Sequence, residues 1–266
     1  MSDRFPWYDS SWLGAYVDAK SHIALRHPGR LNEFVDAFRP LTTRPDFSVQ
    51  KIPRVFDEPV MAKIREAIRT LEFTQLELHE ANVMGRVIVH NHALLNELQA
   101  LTLPMVNELA GEPVEPFYNF LSLYSTLGVC PIHMDAPEAK WTLDLCIDQS
   151  EPWPIHFSNI VPWPEDMETD GMADTEWQSE LRQSKDVQFN SFTLQPGEAL
   201  LFSGSSQWHY RDPIPNANSK SYCNLVFFHF IPVGTARLIR PASWAELFSI
   251  PELSSIVGAE YSRVQS

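Results

Sequence analysis

The residues best suited to chemistry begin in GVCPIHMDAPEAKWTLDLCID, 128–148, where His133 and Asp135 stand two apart at the end of an apolar run. Residues i and i+2 of an extended strand point to the same side, so this imidazole and carboxylate can grip one ion together. A lone histidine is more often a satisfied structural residue than a ligand, and the pair needs a third donor from elsewhere in the chain. LQPGEALLFSGSSQWHYRDPIP, 194–215, offers one. A Pro196-Gly197 turn leads into an apolar strand ending at Phe202, then small residues Ser203–Ser206, then His209.

Two histidines and one carboxylate on one face of an octahedral ion leave three positions open, which is the ligand set of non-haem Fe(II) oxygenases. A soft-metal site would want Cys and a structural zinc would want four protein ligands, so the implied metal is iron. The open positions require a co-substrate. 2-Oxoglutarate chelates iron through its 1-carboxylate and 2-keto oxygen, and its distal carboxylate needs a fixed cation. Lys220, eleven residues after His209, opens KSYCNLVFFHF and is expected in the barrel interior, facing the same way as Tyr222. Arg211 is expected to make surface contacts, and Arg237 is too distant in the chain.

The order Tyr124-x3-Gly128-x4-His133-x-Asp135, then Pro196-Gly197-x4-Phe202-x6-His209, then Lys220, resembles the Fe(II)/2-oxoglutarate-dependent oxygenases, in particular their prolyl-hydroxylase-like branch. The resemblance spans roughly 115–235, plus a helix near 57–71. It implies a double-stranded β-helix in which His133, Asp135 and His209 hold iron and Lys220 binds the 2-oxoglutarate C5 carboxylate. Tyr124 then sits where the family often places a hydroxyl near the co-substrate. Many members carry Arg, with Ser two residues later, where this chain has Lys220 and Tyr222. Related halogenases replace the carboxylate with a small residue so that chloride can bind, so Asp135 favours hydroxylation or another oxidation. O2 is the implied oxidant.

The elements that must position these groups change character along the chain. Asp57 can cap a helix through EPVMAKIREAIRTL with Pro59 in its first turn, giving a stripe of Val60, Ile64, Ile68 and Leu71. Leu94, Leu98, Leu101, Met105 and Leu109 form a second stripe over 93–110, which Pro104 should kink or divide. From about residue 115 the period is two. In KWTLDLCID, Trp141, Leu143, Leu145 and Ile147 take one face, and Thr142, Asp144, Cys146 and Asp148 the other. Further strands are expected at PIHFSNIV, VQFNSFTL, EALLFSG and SYCNLVFFHFIPV. Ser243-x-x-Glu246 has capping-box spacing. Helices followed by six or more short strands predict an α+β protein with a mainly β core: an antiparallel jelly roll with an N-terminal helical layer.

The reading is of one oxygenase domain over 1–266. Residues 1–114 are mainly helical support, 115–235 the jelly-roll core, and 236–266 a helical tail. The long acidic insertion at 162–186, with Trp163, Trp177 and a short helix near 174–182, is either a substrate lid or a solvated loop. His90-Asn91-His92 with Glu97 imitates a cupin metal motif, but Glu97 falls in a helical pattern. His229 reads as structural. Thr142 and Asp144 read equally as pocket lining and as a half-exposed strand face.

The chain has 266 residues and a formal charge of −14, which disfavours nucleic acid because phosphate binding needs clustered Lys and Arg. Cys130, Cys146 and Cys223 have no CxxC spacing and read as buried free thiols of a reducing compartment. No apolar run approaches a membrane span, and the expected location is the cytoplasm. The expected partner is a small-molecule substrate, with the chain a monomer or homodimer. The competing functions are a cupin-like metal enzyme that does not use 2-oxoglutarate and a non-catalytic jelly-roll binding protein.

Overall fold

A computed structural model describes residues 4–168, 172, 173 and 175–256. Helices α1 (Ser11–Arg26) and α2 (Leu31–Ala37) lead to strand β1 (Gln50–Ile52), helix α3 (Glu58–Arg69), strand β2 (Arg86–His90) and helix α4 (Ala93–Ala110). Strands β3 (Val114–Tyr124), β4 (Cys130–His133), β5 (Trp141–Gln149) and β6 (Ile155–Ser158) follow. After helix α5 (Glu176–Gln183) come β7 (Phe189–Phe192), β8 (Ala199–Phe202), β9 (His209–Arg211) and β10 (Cys223–Pro232). Short helices α6 (Ala236–Ile239), α7 (Trp244–Leu247) and α8 (Leu253–Ile256) close the described chain. No helix among the described residues is long and apolar enough to cross a membrane.

The strands form two antiparallel sheets, one in the order β1-β8-β5-β10-β3-β2 and the other β4-β9-β6-β7. They pack face to face through Phe157 of the smaller sheet and Cys146, Phe202, Leu225 and Phe227 of the larger. Both faces of β5 are buried. Trp141, Leu143, Leu145 and Ile147 lie in the same cluster as Met61 and Ile64 of α3 and Leu98 and Val106 of α4. Thr142, Asp144 and Cys146 turn inward between the sheets. The outer face of the smaller sheet is covered by aromatic residues of α1, α2 and α7, with Trp12, Tyr16, Phe34, Phe38 and Trp244 in one cluster with Trp208 and Tyr210.

Asp57 caps α3 as its sequence position suggests, its Oδ1 accepting from Val60 N at 3.0 Å. Two strands, β1 and β2, lie in the half of the chain read as mainly helical, and both are edges of the larger sheet. Pro104 does not divide α4. The carbonyl it frees, that of Ala100, is on the exposed side of the helix, where water can satisfy it. The buried stripe of α4 is also rotated from the expected one: Leu101 is 70% exposed, whereas Gln99 and Thr102 are buried. Gln99 lies against a β-bulge where β10 meets β3 between His229 and Phe230. The Gln99 amide donates to His229 O at 2.8 Å and Tyr118 O at 3.0 Å, satisfying carbonyls beside the irregular ladder. Ser243 and Glu246 form no capping box. The Ser243 hydroxyl donates back to Arg237 and Arg240 carbonyls, and Glu246 pairs with Arg237.

Trp163 and Trp177 of the 162–186 insertion belong to the aromatic cluster outside the smaller sheet. The Trp163 indole donates to Ser205 O at 2.8 Å. Residues 169–171 and 174 of that insertion lie outside the described residues.

Candidate metal centre

His133 ends β4 and His209 begins β9, and the two are direct cross-strand partners. Asp135 lies just past β4, its backbone N–H donating to Gly204 O at 2.9 Å. His133 Nε2 is 3.4 Å and His209 Nε2 3.7 Å from Asp135 Oδ1. One donor atom from each of the three residues lies within 4.8 Å of the others, a spacing that a single ion could bridge.

The outer contacts fit a metal. His133 Nδ1 is 2.7 Å from Pro131 O, and His209 Nδ1 is 3.0 Å from Gln207 O. A carbonyl can only accept, so each ring carries its proton on Nδ1 and presents Nε2 to the shared point, the usual orienting arrangement of metal-bound imidazoles. In the metal-free protein, burial and the adjacent His133 push His209 down to about 4, against Asp135, leaving its Nε2 lone pair available. Burial also opposes charge on Asp135, but His209 and His133 outweigh it and hold the carboxyl at about 2. Burial opposes charge on His133 too, while Cys130 and Asp135 raise it well above the imidazole range.

Gly204 has a steric reason to be glycine. A Cβ there would lie 2.2 Å from Asp135 Oδ2 and 2.5 Å from Ala139 O. Gly204→Ala is therefore expected to swing the carboxylate out of line and weaken metal binding at least tenfold, the lower end of what a disturbed supporting contact costs. Titrating Fe(II) anaerobically into folded wild-type and variant protein checks this, and unchanged affinity would contradict it.

The triad opens on a cavity of about 300 Å³ between the sheets. Tyr124 lines it, 3% exposed, its hydroxyl accepting from Arg86 Nη1 at 2.9 Å. Lys220 and Tyr222 are not brought to it. Pro213 and Pro215 keep the chain irregular beyond β9, Lys220 N donates to Asn218 Oδ1 in a turn, and β10 starts only at Cys223. Lys220 is exposed and Tyr222 is 36% exposed. The expectation of an interior Lys220 facing with Tyr222 is thus corrected, and so is the surface placement of Arg211.

Two buried arginines line the cavity instead. Arg211 is 3% exposed and donates from Nη2 to Asp144 Oδ2 at 2.8 Å and from Nη1 to Trp153 O at 2.7 Å. Burial pushes the Asp144 carboxyl up, against the pull of this guanidinium. Arg86, on β2, pairs with Glu80 and donates to Ser122 and Tyr124 hydroxyls. Arg211 was legible, since it stands two residues beyond His209 on one strand and shares its side. Arg86 carried a fainter signal, an arginine at the head of the short apolar run RVIVH.

Tyr8 and Asp9 of the N-terminal segment also line the cavity, with Glu77, His79 and His90. Asp9 has a φ of 60°, a left-handed conformation that aspartate tolerates better than most residues. The Tyr8 hydroxyl donates to Glu80. His229 also faces the cavity, and His90 and His92 stay apart from the triad at the end of β2 and the cap of α4. The three cysteines are free and buried.

Two antiparallel sheets packed face to face with this triad between them form a fold shared with several solved structures. The non-haem alpha-ketoglutarate-dependent epimerase SnoN from nogalamycin biosynthesis superposes with a TM-score of 0.54 at 14% identity, over 77% of this chain and 84% of that one. AviO1 from Streptomyces viridochromogenes Tue57 gives 0.52 at 15% identity, over 75% and 94%. HygX from Streptomyces hygroscopicus, solved with nickel, 2-oxoglutarate and hygromycin B, gives 0.52 at 10% identity, over 71% and 84%. No protein-family model matches the chain, and no curated protein matches it in sequence.

Proposed function

We propose that this chain is a non-haem Fe(II)/2-oxoglutarate-dependent dioxygenase with a double-stranded β-helix core, acting on a C–H bond of a small molecule. The observation that carries the reading is the convergence of His133, Asp135 and His209 beside a cavity that also holds two buried arginines. The similarity to SnoN and HygX, whose structures contain 2-oxoglutarate and a metal, supports the same choice. When bound, iron with 2-oxoglutarate and O2 supplies the oxidant for hydroxylation, with release of succinate and carbon dioxide.

The chain's own residues then divide the work. His133, Asp135 and His209 would hold the ion by one face and leave the other for the two substrates. Arg86 and Arg211, with the Tyr124 hydroxyl, would receive the far carboxylate of 2-oxoglutarate. A guanidinium presents a fixed fork to a carboxylate, and burial strengthens the contact. Phe202, Ile155 and Phe227 line the cavity wall and keep water from the reacting centre. Retention of the Asp135 carboxylate favours hydroxylation or another oxidation over halide transfer.

Fe(II) and 2-oxoglutarate added without oxygen should give the weak visible charge-transfer band of a chelated complex. Its absence would remove this reading in favour of a binding protein or a metal enzyme without 2-oxoglutarate. The same titration assigns the cation. Arg86→Gln and Arg211→Gln should each weaken 2-oxoglutarate about thirtyfold or more, equivalent to the roughly 2 kcal/mol of a charge-assisted contact. Lys220→Ala should leave its affinity unchanged, and a loss in that variant alone would contradict the assignment.

A further inference from the structure

Resting on the oxygenase reading, the geometry points to a small protonated amine carrying further O–H or N–H donors as the primary substrate. Its ammonium would lie between Asp9 and Glu77, and a neighbouring donor would reach His229 Nε2. Among the described residues the Asp9 carboxylate has no hydrogen-bond partner and no ion pair. The Glu77 carboxylate is met by His90, whose Nδ1 is 2.8 Å away. The other cavity charges are already matched: Glu80 serves Arg86, and Asp144 serves Arg211. A divalent ion would be met by Asp135 together with the dicarboxylate co-substrate. Asp9 is left without a counter-charge, burial and the nearby Asp135 pushing its carboxyl up to about 7, and Glu77 has only the half-exposed His90, so a bound ammonium would hold both carboxylates ionised.

His229 is an independent indicator. It is 3% exposed, its Nε2 has no partner, and its ring lines the cavity, stacked on Tyr118 at 4.1 Å between centroids. Its protonation follows from a chain of donors. The Thr142 hydroxyl donates to Ala139 O at 3.2 Å, so at 3.0 Å it can only accept from His229 Nδ1–H. Burial keeps the ring uncharged, so Nε2 is a bare acceptor. A buried acceptor without a donor is costly, and a bound O–H or N–H would satisfy it. The rings of Tyr118 and Phe120, lying nearly parallel beside His90, add faces on which a cation is favoured. The Asp9 carboxylate and His229 Nε2 are both unmatched acceptors, and a substrate that carries donors complements them.

The test is a panel of small metabolites grouped as amines, neutral compounds and carboxylates, screened with the Fe(II)-loaded full-length protein for stimulated succinate formation. The hits should be amines. The best amine and its N-acetyl counterpart are then titrated into wild type and Asp9→Asn. The amine should lose about thirtyfold in affinity in the variant. The N-acetyl form should bind weakly to both and equally. Hits confined to neutral or anionic compounds, no amine hit, or an amine affinity indifferent to Asp9→Asn would each overturn the proposal. The substrate-free visible band reports separately on the oxygenase reading: a band with anionic hits ends this inference alone, and no band ends both.

Discussion

Asp135→Ala is expected to lower Fe(II) affinity at least about a thousandfold and to abolish substrate-dependent succinate formation while the protein remains folded. The carboxylate is the one anionic donor of the triad, and both Nε2 atoms lie within 3.7 Å of its Oδ1. Disturbing a supporting contact already costs about 10–100-fold, and losing a charged ligand costs more. The fold should survive because Asp135 follows the end of β4 and its backbone bond to Gly204 O does not depend on the side chain. His133→Ala should behave alike. Anaerobic Fe(II) titration and a succinate assay check both variants, and undiminished turnover in either would sink the assignment.

The second large effect concerns stability. Asp144 is fully buried, and it is the carboxylate that answers Arg211 across the space between the sheets. Asp144→Leu leaves a buried guanidinium with the Trp153 carbonyl but no counter-charge, and breaking one side of such a pair costs about 3–5 kcal/mol. For a chain of this size the melting temperature should fall by about 10 °C. Adding Arg211→Met should recover most of the loss, since an apolar pair of similar volume often replaces a buried ion pair at little cost. The double variant should nevertheless bind 2-oxoglutarate poorly, which separates the structural duty of Arg211 from its binding duty. Thermal melts and a 2-oxoglutarate titration read the two out. A single variant within 1 kcal/mol of wild type would show that Asp144 does not neutralise Arg211.

The part of this arrangement written locally was legible. The i, i+2 spacing of His133 and Asp135 needs only an extended backbone, and β5 shows its alternation in nine consecutive residues. The Gln195–Glu198 turn was readable from Pro196-Gly197, and Gly197 has the positive φ of 88° that such a turn uses. The same i, i+2 rule applied to His209 would have put Arg211 inside. The competing lysine stays outside because the chain crosses from one sheet to the other between β9 and β10 through an irregular loop with two prolines, and β10 starts only at Cys223. Other features depend on contacts between distant segments. Gln99 is buried with its amide on two carbonyls beside a bulge in β10 and β3, and no helical periodicity reports that. Asp9 and Tyr8 reach the cavity from the far end of the chain through an N-terminal segment anchored by Phe5 and Trp7, which carries no motif of its own. The two faces of β5 could not be assigned from the strand alone, because its polar side looks into a cavity and not into solvent.

The most direct test of the account is a crystal of the protein loaded anaerobically with Fe(II), with diffraction collected above and below the iron absorption edge. The expected result is one anomalous peak within bonding distance of His133 Nε2, His209 Nε2 and an Asp135 carboxylate oxygen. A peak elsewhere, or a His209 ring turned away from the other two side chains, would contradict it.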